Sequence, residues 1–428
     1  MLVKEYINMN ITVYPTPLYG IITAPSSKSL THRALICAAL AKGTSEIIEP
    51  LVSGDTTYTY KTLEKLGVKF IKQPHKLIVN HPKRFLKIST MIDCGESGST
   101  IRFLIPLLAV LQNGGTFKGS KRLIERIDDN DLKALGLNFI KTPNTINILT
   151  SQIKNNLTLE VKNTTQLVSG ILMASPLVNE QINILINEHT LDPYIVMTTK
   201  VLETFGINIE VKKINDQIAL IIPSNQKYRP TSIIIEGDYS AASNLLVMGM
   251  LGKGVSIKGL STNSYQGDKS IIDILRKMNA KIDILDEIVT INYGNPEAIS
   301  IDLSINPDLA PLLMGLASIS NGTSYFTGLN RLYHKESNRV DDTIQVLTKL
   351  GARIYKVNET IIINGQELLA GGVTIDSYND HRLVMMVCAI SSKLIAPVKI
   401  KNAHVVEKSY PNFWQDFYTL GAKFTKEA

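Results

Sequence analysis

The sequence predicts an α/β protein made of six repeated βα units of about 70 residues, three in each of two domains. Three observations support this fold class. A helix end followed by a strand recurs six times, a second helix with a polar start occurs once in every unit, and an extended β-branched segment precedes each polar start. A chain of 428 residues also exceeds the size that one hydrophobic core usually serves, which favours two domains.

The recurring helix end is the strongest of these signals. The segment "LEKLGVKF", which ends at Phe70, returns as "LKALGLNF", "LETFGINI", "LRKMNAKI", "LTKLGARI" and "FYTLGAKF". The shared position is Gly67, Gly136, Gly206, Asn279, Gly351 and Gly421. Glycine and asparagine both adopt the left-handed conformation that ends a helix. We therefore expect six helices to end here, each followed by a strand.

The second helix of each unit has a polar start and an apolar body. Its six copies are "SSKSLTHRALICAAL", "GSTIRFLIPLLAVL", "TTQLVSGILMASPL", "YSAASNLLVMGML", "PDLAPLLMGLASI" and "DHRLVMMVCAI". Helix starts attract anions because their backbone N–H groups are unpaired and the helix dipole is positive there. Taken alone, starts such as those at Lys28, Gly98 and Thr164 are better explained as ordinary capped helix ends in solvent. Pro230 and its polar neighbours separate the third unit from the fourth.

Composition excludes several classes of protein. The longest apolar runs contain Arg or Pro and fall short of the roughly 20 residues of a membrane span, so we expect no membrane segment. The N-terminal residues show neither a signal peptide nor a transit peptide, and we expect a cytoplasmic protein. The thiols of Cys37, Cys94 and Cys388 have no paired spacing and are expected to be free and buried.

The net charge of +7 is compatible with nucleic acid, anionic surfaces or acidic small molecules as partners. The chain lacks the Lys/Arg runs and interleaved aromatic residues of nucleic-acid-binding proteins, which favours small acidic molecules. No histidine pair has the spacing of a metal site, and we expect no metal. A Gly-x-Ser-x-Gly nucleophile motif is also absent.

Charged residues collect in loops and at helix starts. The segment "YHKESNR" places Lys335, Glu336 and Arg339 within five residues, which supplies two cations for oxyanions and a carboxylate for proton transfer. The segment "NDHR" adds Arg382 at another helix start. Asp308 follows a proline, where it either caps a helix or serves a site. Each cluster alone is also compatible with a solvated face.

Eight segments together resemble the 5-enolpyruvylshikimate-3-phosphate synthase family, in order over nearly the whole chain. They are "APSSKSLTHRALICAALA", "IERIDDNDLKALG", "EGDYSAAS", "NSYQGD", "NPDLAPLLMGLA", "HKESNR", "YNDHRLVMM" and "VEKSYPNFW". The resemblance implies the enolpyruvyl transferase fold, a two-domain inside-out α/β barrel with helices inside and strands outside. It also implies that residues 1–24 and 236–428 form one domain, that residues 25–235 form the other, and that the active site lies in the cleft between them.

The reaction that the resemblance implies moves the enolpyruvyl group of phosphoenolpyruvate to the 5-hydroxyl of shikimate 3-phosphate. It proceeds by addition and elimination, releases phosphate and needs no metal or organic cofactor. The resemblance further implies a monomer that binds neither nucleic acid nor a membrane. Glyphosate is the inhibitor expected from the family.

The resemblance also implies the roles of individual residues. Asp308 accepts the proton of the 5-hydroxyl, Glu336 donates a proton to the vinyl carbon, and Lys28 assists. The implied shikimate 3-phosphate site contains Lys28, Ser29, Arg33, Thr164, Thr165, Gln166, Tyr194, Asp308, Arg331 and Lys335. The implied phosphoenolpyruvate site contains Lys28, Gly98, Arg126, Gln166, Arg339, Arg382 and Lys408. Apart from Arg331, seven of these residues are cations, and we expect them to repel one another until the ligands bind and the domains close.

Several positions depart from the family pattern. Leu191 replaces a phosphate-binding serine, Arg331 replaces an asparagine, and Glu96 replaces an asparagine beside Gly98. Thr164 and Thr165 stand where serines are usual, and Asn338 replaces an aspartate. One alternative is the related transferase that acts on UDP-N-acetylglucosamine, although that enzyme has Lys-Asn where this chain has "SKS" and carries a cysteine in the loop before Arg126. A more remote alternative is a basic nucleic-acid-binding protein.

Overall fold

The structure, a computed structural model, describes residues 9–112, 114–150, 153–161, 164–187 and 190–427. It divides the chain into two compact units. Unit 1 comprises Met1–Pro25 and Gly237–Ala428, and unit 2 comprises Ser26–Glu236. Each division falls one residue after the boundary expected from the sequence.

Helices and strands are interspersed along the chain. The α-helices of the described residues are α1 Lys28–Leu40, α2 Gly54–Lys65, α3 Gly98–Gln112, α4 Lys121–Glu125, α5 Asp129–Ala134, α6 Gln166–Ala174, α7 Pro193–Thr204, α8 Tyr239–Leu251, α9 Ile271–Lys277, α10 Ala310–Ala317, α11 Arg339–Lys349, α12 His381–Ile390 and α13 Phe413–Thr419. The strands are β1 Asn10–Tyr14, β2 Gly20–Thr23, β3 Thr44–Ile48, β4 Lys69–Gln73, β5 Lys76–Asn80, β6 Ile92–Asp93, β7 Gly115–Lys118, β8 Asn138–Lys141, β9 Thr145–Thr150, β10 Asn156–Leu159, β11 Ile182–Ile186, β12 Glu210–Ile214, β13 Gln217–Ile222, β14 Ser232–Ile234, β15 Val255–Lys258, β16 Ile282–Leu285, β17 Ile288–Ile291, β18 Ser300–Asp302, β19 Thr323–Thr327, β20 Arg353–Val357, β21 Thr360–Asn364, β22 Leu369–Gly371, β23 Thr374–Asp376, β24 Leu394–Ala396, β25 Val398–Lys401 and β26 Lys423–Glu427.

Six four-stranded sheets are formed by the described residues, three in each unit. In unit 2 their strand orders are β14-β3-β5-β4, β6-β7-β9-β8 and β10-β11-β13-β12. In unit 1 they are β2-β15-β17-β16, β18-β19-β21-β20 and β23-β25-β1-β26. The first two strands of each sheet run parallel and the remaining neighbours run antiparallel. The repeated pattern confirms the prediction of six similar units.

Three strands lie far in sequence from the sheets that they complete. β1 pairs with β25 and β26, with Ile11 opposite Ile400 and Lys426. β2 pairs with β15, and β14 pairs with β3. The chain therefore passes from unit 1 to unit 2 directly after β2 and returns directly after β14, in both cases just before a buried helix.

The six predicted helix ends are all present. The glycine or asparagine at each end has a positive φ: 93° at Gly67, 86° at Gly136, 78° at Gly206, 72° at Asn279, 100° at Gly351 and 93° at Gly421. The N–H of the next residue donates to the carbonyl five residues back, as Val68 does to Leu63 over 3.1 Å. This bond satisfies a carbonyl that the ended helix would leave unpaired. In all six units the strand that follows lies at a sheet edge.

Three helices of each unit are buried on nearly all sides. They are α1, α3 and α6 in unit 2 and α8, α10 and α12 in unit 1. The helices pack closely because small residues occur at their contacts: a Cβ on Gly170 of α6 would lie 2.4 Å from the carbonyl oxygen of Arg102 in α3. Many sheet strands, such as β10 and β21, alternate between buried and more exposed residues. Within each unit the helices are therefore interior and the sheets surround them.

Candidate active site

The start of α1 carries the first group of candidate residues in unit 2. Ser27 caps the helix by accepting a hydrogen bond from the backbone of Leu30, which places Lys28 in the first turn. Nζ of Lys28 lies 3.0 Å from Oδ2 of Asp55, near the start of α2. Both side chains are less than one-fifth exposed. Asp55 thus offsets a positive charge that has no acidic neighbour in the local sequence.

Arg33 lies one turn further along α1 and is 2% exposed. Its guanidinium donates to the hydroxyl groups of Thr198 at 2.7 Å and Ser169 at 3.1 Å. It also donates to the backbone carbonyls of Ser29 and Tyr194 and lies 5.0 Å from the centre of the Phe103 ring. Burial lowers the pKa of Arg33 to about 10. The nearby charge of Asp192 opposes this decrease, and four hydrogen bonds hold the guanidinium in one orientation.

The glycine turn at the start of α3 contacts the start of α6. Nη1 of Arg102 donates to Oε1 of Gln166 at 2.9 Å, and Nη2 donates to the carbonyl of Arg126 at 2.7 Å. A Cβ on Gly98 would lie 2.8 Å from Arg102, 3.2 Å from Gln166 and 3.6 Å from Arg126. The structure therefore brings together three residues of the implied phosphoenolpyruvate site. Arg102 holds two of them in place.

Asp192 organises the residues of the implied shikimate phosphate site. Its Oδ1 accepts hydrogen bonds from the hydroxyl of Thr165 at 3.1 Å and from the backbone N–H of Tyr194 at 2.9 Å. The hydroxyl of Thr164 accepts from the backbone of Gln166 at 3.2 Å. Leu191 packs against the hydrophobic core of unit 2, so this position supplies no hydroxyl to a phosphate.

Asp308 is the centre of the candidate site in unit 1. It lies in the 3-10 helix Pro307–Leu309, directly before α10. Its Oδ1 lies 2.8 Å from Nη1 of Arg339 and 3.3 Å from Nζ of Lys335, and its Oδ2 lies 3.1 Å from Nη2 of Arg382. Burial acts to raise its pKa, but the three cations outweigh burial and hold the pKa of Asp308 well below its usual value. Asp308 is therefore ionised at neutral pH.

Arg339 connects Asp308 to two further carboxylates. Its side chain is 1% exposed, and it donates from Nε to Asp380 at 2.7 Å and from Nη2 to Glu336. Burial would lower the pKa of Arg339, but the three surrounding carboxylates raise it above its ordinary value. Asp380 is itself fully buried and caps α12 by accepting from the backbone of Arg382. One guanidinium thus fixes both proposed proton-transfer residues.

The remaining candidates of unit 1 lie in short 3-10 helices. Lys408 ends the 3-10 helix Ala403–Lys408 and donates to the carbonyl of Asn379 at 2.9 Å. Arg331 is half-buried and lies in the 3-10 helix Asn330–His334. Lys335 directly follows this helix.

The structure corrects the expectation that seven cations repel one another in the empty protein. Lys28 pairs with Asp55, and the three cations Lys335, Arg339 and Arg382 share Asp308. The expectation is wrong for these four because acidic residues from distant segments pack beside them. Within unit 1 the candidate site is a network of alternating charges.

Several residues that support the site were not among the predicted site residues. Asp55, Arg102, Asp192 and Asp380 each hold a predicted residue in place. The sequence contained one usable signal, an arginine within the apolar run of α3, because a buried arginine requires partners. The others resemble ordinary helix caps and loop acids in the sequence.

No group of three or more His, Cys, Asp or Glu side chains that could hold a metal ion occurs among residues 9–427 as far as the structure describes them. In the same part of the chain, no helix is long and apolar enough to cross a membrane. The three cysteines are free and buried, as predicted.

Comparison with known proteins gives a consistent result. The family model of EPSP synthase (3-phosphoshikimate 1-carboxyvinyltransferase) matches residues 13–417. The chain is 36% identical over 422 residues to the 3-phosphoshikimate 1-carboxyvinyltransferase of Clostridium kluyveri, covering 96% of this chain and 97% of the relative. It is 34% identical over 427 residues to that of Clostridium novyi, covering 96% and 97%.

Two solved structures share the fold. The EPSP synthase of Acinetobacter baumannii superposes with a TM-score of 0.79 at 22% identity, covering 98% of this chain and all of that one. The enolpyruvyl transferase NikO of Streptomyces tendae gives a TM-score of 0.79 at 14% identity, covering 98% and 99%. These likenesses confirm the predicted fold.

Proposed function

The chain belongs to the EPSP synthase (3-phosphoshikimate 1-carboxyvinyltransferase) family, and we propose how its residues carry out the reaction of that family. The protein is a transferase of the shikimate pathway, which leads to the aromatic amino acids. We propose that the candidate residues of the two units act on one pair of substrates, phosphoenolpyruvate and shikimate 3-phosphate. No metal or organic cofactor takes part in this proposal.

The Asp308 cluster is the observation that carries the proposal. The carboxylates of Asp308 and Glu336, proposed for proton transfer, both pair with the buried guanidinium of Arg339. Lys335 and Arg382 supply two more cations beside Asp308. This combination suits a reaction that moves protons while it holds multiply charged anions. A surface that binds a phosphate backbone has no use for carboxylates placed between its cations, which argues against the nucleic-acid-binding alternative.

Asp308 is proposed to accept the proton of the 5-hydroxyl of shikimate 3-phosphate. A carboxylate with a strongly lowered pKa is a weak base, because base strength follows pKa. The phosphate and carboxylate groups of phosphoenolpyruvate would compete for Arg339 and Arg382 and cancel their charge. The pKa of Asp308 would then rise, so that the base becomes stronger only when the second substrate is present.

Glu336 is proposed to protonate the vinyl carbon. In the structure it accepts a hydrogen bond from Nη2 of Arg339, a residue of the implied phosphoenolpyruvate site. This contact would place Glu336 beside the substrate whose vinyl carbon it protonates.

Unit 2 is proposed to hold the anionic groups of the substrates. Lys28 and Gln166 would contact both substrates, Ser29 and Arg33 would bind shikimate 3-phosphate, and Thr164, Thr165 and Tyr194 would line the site of its phosphate. Asp192 accepts hydrogen bonds from two of these residues, Thr165 and Tyr194, and these bonds support a preformed site. Gly98 and Arg126 would contribute to the phosphoenolpyruvate site, together with Arg339, Arg382 and Lys408 of unit 1.

We further propose that glyphosate occupies the phosphoenolpyruvate site beside Gly98, and that the protein acts as a monomer in the cytoplasm. Inhibition that is competitive with phosphoenolpyruvate and uncompetitive or noncompetitive with shikimate 3-phosphate is expected for such binding. Light scattering of the purified protein would test the monomer.

The direct test is release of inorganic phosphate from phosphoenolpyruvate in the presence of one acceptor at a time. We expect release with shikimate 3-phosphate and none with UDP-N-acetylglucosamine. Release with the second acceptor alone would assign the protein to the related transferase, and release with neither would refute the proposed activity.

A further inference from the structure

Asp268 is a buried carboxylate near Arg382 to which the proposed reaction assigns no role. It lies in the 3-10 helix Gly267–Ser270 and is 4% exposed. Its Oδ2 accepts a hydrogen bond from the hydroxyl of Ser240, and that hydroxyl oxygen lies 3.5 Å from Nη2 of Arg382. The same Nη2 atom lies 3.1 Å from Asp308. A single hydroxyl thus links Asp268 to the guanidinium that contacts the proposed base.

The backbone around Asp268 is fixed by Gln266, two residues earlier. The Gln266 side chain donates to the carbonyl of Gly237 at 2.7 Å and accepts from the backbone of Tyr239 at 3.0 Å. Both bonds hold the 3-10 helix against the start of α8, which carries Ser240. Asp268 therefore has little freedom to move away from Ser240.

Three charged groups from three elements face Asp268. They are Arg382 in the first turn of α12, Asp308 in the 3-10 helix before α10, and Asp238, which caps α8. Burial raises the pKa of Asp268, the two other carboxylates raise it further, and Arg382 and Ser240 oppose them, which leaves a pKa of about 6.

We propose that Asp268 and Ser240 are positioning residues that fix the guanidinium of Arg382 beside Asp308. This inference rests on the proposed function, in which Arg382 binds phosphoenolpyruvate. When Asp268 is ionised, it accepts a hydrogen bond from the hydroxyl of Ser240. An oxygen lone pair of Ser240 then faces Arg382. Nη2 is then held between Ser240 and Asp308. A guanidinium fixed in one orientation binds an oxyanion with defined geometry.

Protonation of Asp268 reverses the direction of its hydrogen bond with Ser240. The carboxyl group then donates to Ser240, the hydroxyl hydrogen turns toward Arg382, and the guanidinium loses that contact. We therefore expect kcat/KM for phosphoenolpyruvate to fall as the pH decreases through about 6.

The test uses the full-length enzyme with both substrates. Ser240→Ala and Asp268→Ala should each raise KM for phosphoenolpyruvate about tenfold, the effect of one hydrogen bond to a charged group. KM for shikimate 3-phosphate should rise less, because Asp308, the member of that site that contacts Arg382, keeps Lys335 and Arg339 as partners. A general loss of packing would instead change both constants together.

A pH profile of Asp268→Asn supplies a second readout. The amide keeps the shape of the carboxylate but does not titrate in this range, so the contribution of Asp268 to the profile near pH 6 should disappear. The phosphate of the substrate titrates with a pKa of about 6 as well, so the variant is compared with the wild type on the same substrate. The matched control is Asp273→Asn, which removes an exposed carboxylate five residues along.

The outcomes separate this inference from the proposed function. A wild-type enzyme that releases no phosphate with either substrate pair refutes the function. An active wild type whose KM for phosphoenolpyruvate is unchanged in Ser240→Ala refutes the inference, as does an Asp268→Asn profile identical to that of the wild type. A selective rise in KM together with an altered profile supports it.

Discussion

Nη1 of Arg339 donates a hydrogen bond to Oδ1 of Asp308 over 2.8 Å, while Nε of the same side chain lies 2.7 Å from Asp380. Both carboxylates compete for one guanidinium that is almost fully buried. Asp308 is the proposed proton acceptor, whereas Asp380 caps α12 and lies away from solvent. The pairing therefore connects the chemistry of the site to the stability of unit 1.

Asp380→Asn should destabilise unit 1 strongly. The substitution removes the most deeply buried negative charge next to Arg339. Asp308 and Glu336 remain beside the guanidinium, so the cost should lie near the lower end of the about 3–5 kcal/mol that loss of a partner costs a buried charge. We expect a loss of this order in the free energy of unfolding, measured by urea denaturation. The control is Asp283→Asn, in which the original carboxylate is exposed on β16, and it should unfold like the wild type. Equal stability of the two variants would contradict the prediction.

Asp308→Asn should show a stability deficit that depends on pH. The folded protein lowers the pKa of Asp308 below the pKa of about 4 that an aspartate has in the unfolded chain. The ionised carboxylate therefore contributes stability that is fully present above the unfolded pKa. This stability is lost as the pH falls through the lower folded pKa. The difference in free energy of unfolding between wild type and variant should be largest near pH 7 and should shrink below pH 4. Urea denaturation at a series of pH values measures it, and a difference that does not change with pH would refute the sign of this shift.

Lys28→Met should nearly abolish turnover and leave the fold intact. The substitution keeps most of the apolar stem but removes a cation that the proposal places next to both substrates, and loss of one such group costs about 10²–10³-fold in kcat. Turnover is measured as phosphate release and folding as the thermal unfolding transition. Lys76→Met is a matched control because Lys76 also pairs with a carboxylate, Glu46 at 2.9 Å, on a sheet of the same unit. A fully active Lys28→Met variant would show that this residue has no catalytic role.

Gly98→Ala should weaken phosphoenolpyruvate binding more than shikimate 3-phosphate binding. The new methyl group would lie 2.8 Å from Nη1 of Arg102 and 3.2 Å from Oε1 of Gln166, too close for both groups to stay in place. We expect KM for phosphoenolpyruvate to rise about tenfold, as when one hydrogen bond to a charged group is displaced. Gly294→Ala is the control, because its nearest neighbour would lie at an ordinary 3.5 Å. Equal kinetics of the two variants would argue against a tight turn at Gly98.

Much of the fold was predictable because its signals are local. A helix that ends at Gly351 and a strand that starts two residues later depend on the conformation of a few consecutive residues. The polar helix starts were recognisable for the same reason, including those that carry Lys28 and Arg382. The placement of β1 was not predictable from its own pattern, because strand pairing depends on partners such as Ile400, far along the chain.

The sequence by itself determined the six units, their helix ends and the types of chemical group at the helix starts. Only the tertiary structure decided which charges neutralise one another: Asp55 pairs with Lys28 across 27 residues, and Asp308 and Asp380 reach Arg339 across 31 and 41 residues. The physical reason is that a conformation at a helix end is set by neighbours in sequence, whereas Coulomb interactions and hydrogen bonds depend on distance in space. In the sequence, Lys28 is a positive charge without an acidic neighbour. In the structure, Lys28 forms a partly buried ion pair with Asp55.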